Sequence, residues 1–119
     1  MVLVVNDDPL ADRDLYEWLA SRGVAVLRAY STDHALILLY RARVHTVISD
    51  LARTEGGILN KTEGTQLSRK IRERGSDVPI LIYAMDKSGS VKELALDAGA
   101  NYVTEGADEL RDWLEKLGI

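Results

Sequence analysis

An open, doubly wound α/β sheet of five parallel strands in the order 2-1-3-4-5 is the architecture this sequence predicts. Three observations carry that prediction. Short apolar runs of strand length alternate with helix-period segments five times. The runs are apolar at consecutive positions, as strands covered on both faces are. Two of them, Val2–Val5 and Thr46–Ser49, lead directly into carboxylates, at Asp7-Asp8 and at Asp50. Strict alternation of strand and helix forces parallel strands joined by right-handed crossovers.

Each element has its own local reason. After the first strand, Asp8-Pro9 opens a helix with an acidic cap and a proline in the first turn. Ala11, Leu15, Trp18 and Leu19 form its apolar face, and Gly23 ends it. Residues 24–28 make a second strand. Ser31-Thr32-Asp33 caps a helix over about 34–43, with Ala35, Leu38 and Leu39 inward. Thr46–Ser49 is the third strand.

Residues 51–62 then show neither period, and Gly56-Gly57 reads as a loop. That connection is long for a strand-to-helix turn, and such loops are often functional. Helical character resumes at Glu63, with Leu67 and Ile71 inward and Arg69, Lys70, Arg72 and Arg74 outward. Ile80–Tyr83 is the fourth strand, and Lys87 to Ser90 a loop and cap. Val91, Leu94, Ala95 and Ala98 mark a helix that stops at Gly99. Residues 101–104 make the fifth strand. Leu110, Trp113, Leu114 and Leu117 face inward from the last helix.

Composition narrows the function classes. The 119 residues suffice for one domain, 1–119, and are 46% hydrophobic and 29% charged, an ordinary globular balance. A net charge of −4 disfavours nucleic acid as the main partner. With no cysteine there is no disulfide or thiolate chemistry, and a cytoplasmic setting is expected. No apolar run is long enough to cross a membrane, and the start does not read as a signal peptide.

In a sheet of this order, strands one and three are neighbours at the switch point, where ligands bind beyond the strand ends. Asp7 and Asp50, with Asp8 near them, would then share one rim. Crowded carboxylates call for a cation or a proton between them. Hard oxygen donors with open water positions suit Mg²⁺, and a carboxylate beside such an ion can attack phosphorus. The competing reading leaves Asp8 as a helix cap and Asp50 as a strand end. His34 on a helix surface and His45 at a strand start lack metal-ligand spacing. Trp18 and Trp113 fit helix–sheet packing, and the run Arg69 to Arg74 fits a solvated helix face.

The architecture is flavodoxin-like, and the motifs are more specific than the architecture. Val4-Val5-Asn6-Asp7-Asp8-Pro9, Val47-Ile48-Ser49-Asp50, Pro79-Ile80-Leu81-Ile82-Tyr83-Ala84-Met85 and Ala98-Gly99-Ala100-Asn101-Tyr102-Val103-Thr104-Glu105-Gly106 follow in order. Together they resemble the receiver domain of two-component response regulators, over essentially the full length. The resemblance implies that Asp50 takes a phosphoryl group from a histidine kinase, a phosphotransfer protein or a small phosphodonor. It implies Mg²⁺ held by Asp7, Asp50 and the backbone carbonyl of Ala52, with Asp8 as a further candidate. Asn6 stands where the family usually has another acid. Tyr102 falls at the family's aromatic switch position.

Two departures stand out. The family's switch hydroxyl is Ala84 here, and its phosphoryl-pairing lysine is Glu105. The first removes a hydrogen bond to a phosphoryl oxygen and the second adds repulsion. Arg53 and Lys87 are candidate anion contacts in compensation. The chain is similar to an atypical subgroup that lacks the same lysine.

The expected function is a stand-alone receiver acting through protein contacts on the 91–117 face, with a protein partner or a second copy there. The alternative within the class is a phosphorylation-independent pseudo-receiver adaptor. A metal-dependent phosphohydrolase is a third reading, opposed by Ala52 where the haloacid-dehalogenase phosphatases carry their general acid. A flavin or small-ligand binder is disfavoured by the acidic, glycine-free first turn.

Overall fold

The computed structural model describes residues 1–6, 13–50, 53–55, 58–60, 63–83 and 89–119. In chain order the elements are β1 (Val2–Val5), α1 (Arg13–Ser21), β2 (Val26–Ala29), α2 (Thr32–Arg41), β3 (Thr46–Ser49), β4 (Arg53–Glu55), β5 (Ile58–Asn60), α3 (Glu63–Glu73), β6 (Ile80–Tyr83), α4 (Gly89–Asp97), β7 (Tyr102–Thr104) and α5 (Ala107–Lys116). Five strands pair in parallel in the order β2-β1-β3-β6-β7, which is the 2-1-3-4-5 arrangement expected.

The sheet is buried on both faces, and alternate residues of each strand serve opposite sides. Leu3, Val5, Val47, Ile80 and Ile82 pack with Ala35 and Leu36 of α2, Leu67 and Ile71 of α3, and Ala95 of α4. Val2, Val4, Ile48 and Leu81 pack with Leu15 and Leu19 of α1 and Leu110 and Leu114 of α5. This is why β1 and β6 are apolar at every position rather than at every second one. Thr46 and Ser49 are fully buried polar residues on central β3. Each hydroxyl is satisfied by donating to a carbonyl, of Pro79 at 2.9 Å and of Asp50 at 2.8 Å.

Several local expectations need correction. Residues 53–55 and 58–60 form an antiparallel hairpin with Arg53 opposite Asn60 and Glu55 opposite Ile58, so the segment is not plain loop. Its linking residues Gly56 and Gly57 lie outside the described residues. The helix α2 starts at Thr32, two residues early, with the Ser31 hydroxyl accepting from the His34 amide at 3.1 Å. It buries Leu36 more completely than Leu38 or Leu39. Leu117, read as inward, is exposed, and Leu94 of α4 is exposed too.

Arg72 is not a solvated charge. Its Nε donates to the Gly99 carbonyl at 3.0 Å, Nη1 to the Ser76 carbonyl at 2.9 Å, and Nη2 to Asn101 Oδ1 at 2.8 Å. Asn101 Oδ1 also accepts from the Ile80 amide at 2.8 Å. One guanidinium thus ties the end of α3 to the turn before β7 and to the start of β6. Partial burial lowers its pKa, opposed by nearby Asp77. Gly99 has φ +114°, and a Cβ there would collide with the Arg72 side chain.

Candidate functional site

The carboxyl edge of the sheet holds the candidate residues. β1 lies between β2 and β3, so the chain leaves it on one side and returns on the other. That is a topological switch point, where α/β sheets bind ligands. The Asp50 amide donates to the Val5 carbonyl at 3.1 Å, and the Asn6 amide donates to the Ala29 carbonyl at 3.0 Å. Those bonds extend the parallel ladder one residue past β1 and β3. Asn6 and Asp50 therefore stand abreast on neighbouring strands, and Asp50 is half-buried there.

The register places further residues on the same edge. Val5 pairs with Ser49, Ser49 with Ile82, and Ile82 with Val103. Asp50, Tyr83 and Thr104 therefore share the next row, with Glu105 one residue beyond. Two strand spacings separate β3 from β7, about 10 Å at the usual ~4.8 Å per strand. Glu105 is exposed at that end. A pocket of about 350 Å³, lined by Arg13, Asp14, Tyr83 and Arg111 among others, opens between α1, β6 and α5.

Asp7, Asp8, Ala52, Ala84 and Lys87 lie outside the described residues, and Arg53 is the first residue of β4. The adjacency expected for strands one and three is present. Mg²⁺ is compatible with the described part of the rim, where the Asp50 carboxylate and the Asn6 amide offer hard oxygens. His45 is engaged elsewhere: its Nδ1 accepts from the Met1 amine at 2.9 Å.

Tyr102 has partners that inspection of the sequence missed. Its hydroxyl donates to Glu109 Oε2 at 3.1 Å, and the Thr104 hydroxyl donates to the same oxygen at 2.8 Å. Thr104 Oγ1 also accepts from the Gly106 amide at 3.1 Å. The Tyr102 ring stacks on Trp113, with centroids 6.3 Å apart and planes at 6°. Bonding to the Thr104 and then the Tyr102 hydroxyl holds the Glu109 carboxyl below its ordinary range, with Lys92 adding to the shift. The bond to Glu109 pushes the Tyr102 phenol up, helped by desolvation and by the charges of Glu109 and Asp112. The signal was legible: Gly106 caps α5 with no side chain of its own, and Glu109 sits three residues on, where a capping-box acid reaches back.

A five-stranded 2-1-3-4-5 sheet with an aspartate closing its central strand and a tyrosine on its edge strand is a flavodoxin-like arrangement with a candidate site at the switch point. The response regulator receiver domain family matches residues 2–111, and the chain belongs to that family. It is 31% identical over 100 residues to the response regulator MprA of Mycobacterium sp. strain KMS, covering 84% of this chain and 41% of that protein. The chain thus spans about two fifths of the length of the curated relatives it matches. The Francisella response regulator 1452 receiver domain superposes with TM-score 0.81 at 22% identity, covering 98% of this chain and 93% of that one. A putative response regulator from Chloroflexus aurantiacus J-10-fl superposes with TM-score 0.81 at 26% identity, covering 98% and 94%. Membership makes the domain a regulatory part of two-component signalling rather than a catalyst, which removes the phosphohydrolase reading. No helix among the described residues is long and apolar enough to cross a membrane.

Proposed function

We propose that this chain is an atypical receiver in which Asp50 accepts a phosphoryl group from a histidine kinase or phosphotransfer protein. The observation that supports it best is the place of Asp50: it closes central β3 and is bonded through its amide to the end of β1. A carboxylate oxygen of Asp50 attacks phosphorus as the donor's P–N bond breaks, the bonding pair stays on the imidazole nitrogen, and that nitrogen takes up a proton from water. Asp7, Asp50 and the carbonyl of Ala52 would hold Mg²⁺, with Asp8 beside them, and the ion would offset charge between the carboxylates and the phosphoryl oxygens. Arg53 and Lys87 are the candidate cations for the same anion.

The readout differs from that of the wider family. Ala84 offers no hydroxyl, Glu105 brings a carboxylate where a lysine would pair with the phosphoryl group, and Tyr102 is held on α5 by Glu109 and Trp113. Those features favour a second reading, a pseudo-receiver adaptor acting without phosphorylation. In either form the domain acts in the cytoplasm through contacts on its 91–117 face, with a protein partner or a second copy. It needs neither nucleic acid nor a membrane.

Mg²⁺ followed by beryllofluoride, read by backbone amide resonances, tests the choice. The acceptor reading expects shifts at Asn6, Ser49 and Asp50 that vanish in Asp50→Asn. No response in the wild-type protein removes it and leaves the adaptor.

A further inference from the structure

The opposite edge of the molecule carries a second surface, at the carboxyl ends of α2 and α3. A cleft of about 340 Å³ opens between them, floored by Leu36, Leu39, Val44, Ile71 and Val78. A second hollow of about 530 Å³ lies beside it, and Leu36, Tyr40 and Arg74 line both. Tyr40 forms the ridge between them and is 87% exposed, the most exposed large apolar residue described. Ile37, one turn back on the same helix, is 52% exposed. An exposed aromatic ring beside an apolar cleft extends the kind of apolar patch that marks an interaction site.

The rim is basic although the protein is acidic. Arg43 and Arg74 edge the first hollow, and Arg41 and Arg74 edge the second, against the single carboxylate of Asp33. None of the three guanidiniums makes an ion pair with a described residue. A cation at a helix carboxyl end is ordinary, since it meets the negative pole of the dipole. The dipole alone does not explain why three such cations surround an apolar cleft that also presents an exposed tyrosine. Tyrosine and arginine around an apolar floor are the residues that dominate protein interfaces.

We infer that the α2–α3 cleft docks an amphipathic helix of a partner protein, with branched apolar side chains inward and Glu or Asp along both flanks. Helices seat in grooves between helices through anchors at i, i+3 and i+7. Carboxylates on the flanks meet Arg41, Arg43 and Arg74. Space of about 340 Å³ suits one or two side chains, at the low end of the ~300–1,000 Å³ of ligand clefts. This surface is separate from the 91–117 face and from the Asp50 rim, and its occupation does not require phosphorylation.

The probe is a stapled helical peptide with Leu at i, i+3 and i+7 and Glu on both flanks, titrated into the labelled protein. A control peptide carries Lys in place of each Glu. The acidic peptide is expected to shift amides within 36–44 and 71–78, with affinity falling as salt rises. Tyr40→Ala and the pair Arg43→Glu with Arg74→Glu are each expected to weaken binding about tenfold or more. All three positions are exposed, so the melting temperature should stay put. Equal binding of the Lys peptide, shifts confined to other faces, unaffected variants, or no binding at all overturns the proposal. Concentration-dependent shifts at 36–44 without peptide overturn it too, and assign the cleft to a second copy. The Asp50→Asn protein should bind the peptide normally, which separates this result from the fate of the acceptor reading.

Discussion

At the scale of single residues, Glu109 does more than its position on an exposed helix suggests. It gathers the hydroxyls of Tyr102 and Thr104 at one carboxylate oxygen and so fixes the end of β7 to the first turn of α5. The folded Glu109 carboxyl titrates below its ordinary value, so its contribution to stability is present above the unfolded pKa, about 4.3. That contribution disappears as pH falls through the folded pKa. The Tyr102 phenol is shifted the other way. Its contribution is present below the unfolded pKa, about 10, and is lost as pH rises through the raised folded value. Glu109→Gln should return the Tyr102 phenol towards its ordinary pKa, followed by the ring-carbon resonance of labelled tyrosine. An unchanged Tyr102 titration in that variant would disprove the linkage. The place of Asp50 at the end of β3 was legible, because the apolar run before it stops there. Of the Glu109 cluster only the capping-box spacing from Gly106 was legible; the contacts with Tyr102 and Thr104 were not, because residues five and seven apart in sequence meet only once the turn at Gly106 brings strand and helix together.

Single elements separate where pattern suffices from where it does not. β1, β3 and β6 match their expected bounds to the residue, because each is an unbroken β-type run with punctuation at both ends. The inward face of α2 was harder, since residues 35–40 are apolar without a break and define no period. Tertiary contact decides instead, turning Ala35 and Leu36 to the core and Ile37 and Tyr40 to water. α4 approaches its neighbours through Ala95 and Ala98, which leaves Leu94 outside despite its helical spacing. The hairpin β4–β5 was missed although two glycines between short apolar-polar runs are a recognised hairpin signal. Arg72 shows the reverse error, where an arginine among other cations looked solvated. Arg72→Ala should destabilise the fold by about 1–3 kcal/mol, the cost of losing charged hydrogen bonds and leaving carbonyls unpaired. Lysine should restore little, having no fork to span Gly99, Ser76 and Asn101. Urea melts of the three proteins measure both, and a wild-type midpoint for Arg72→Ala would show the clip to be idle.

For the whole molecule, two packed layers share one sheet. Side chains of β1, β3 and β6 reach alternately into both, so damage on one side is felt on the other. Leu114→Ala, at a fully buried position of α5, should cost about 2–5 kcal/mol. Unfolding should nonetheless remain a single transition, with tryptophan fluorescence and far-ultraviolet circular dichroism coincident. Separate midpoints for the two probes would mean that the layers melt independently. The same frame presents two distant edges, one with Asp50 and one with Tyr40 and its arginines. The hairpin that follows Asp50 belongs to neither packed layer by pairing, since β4 and β5 bond to each other and form a sheet of their own. An insertion that carries its own ladder makes no demand on the strands around it. Selection can lengthen, shorten or recharge that segment, and so alter what a partner meets beside Asp50, without disturbing the scaffold beneath.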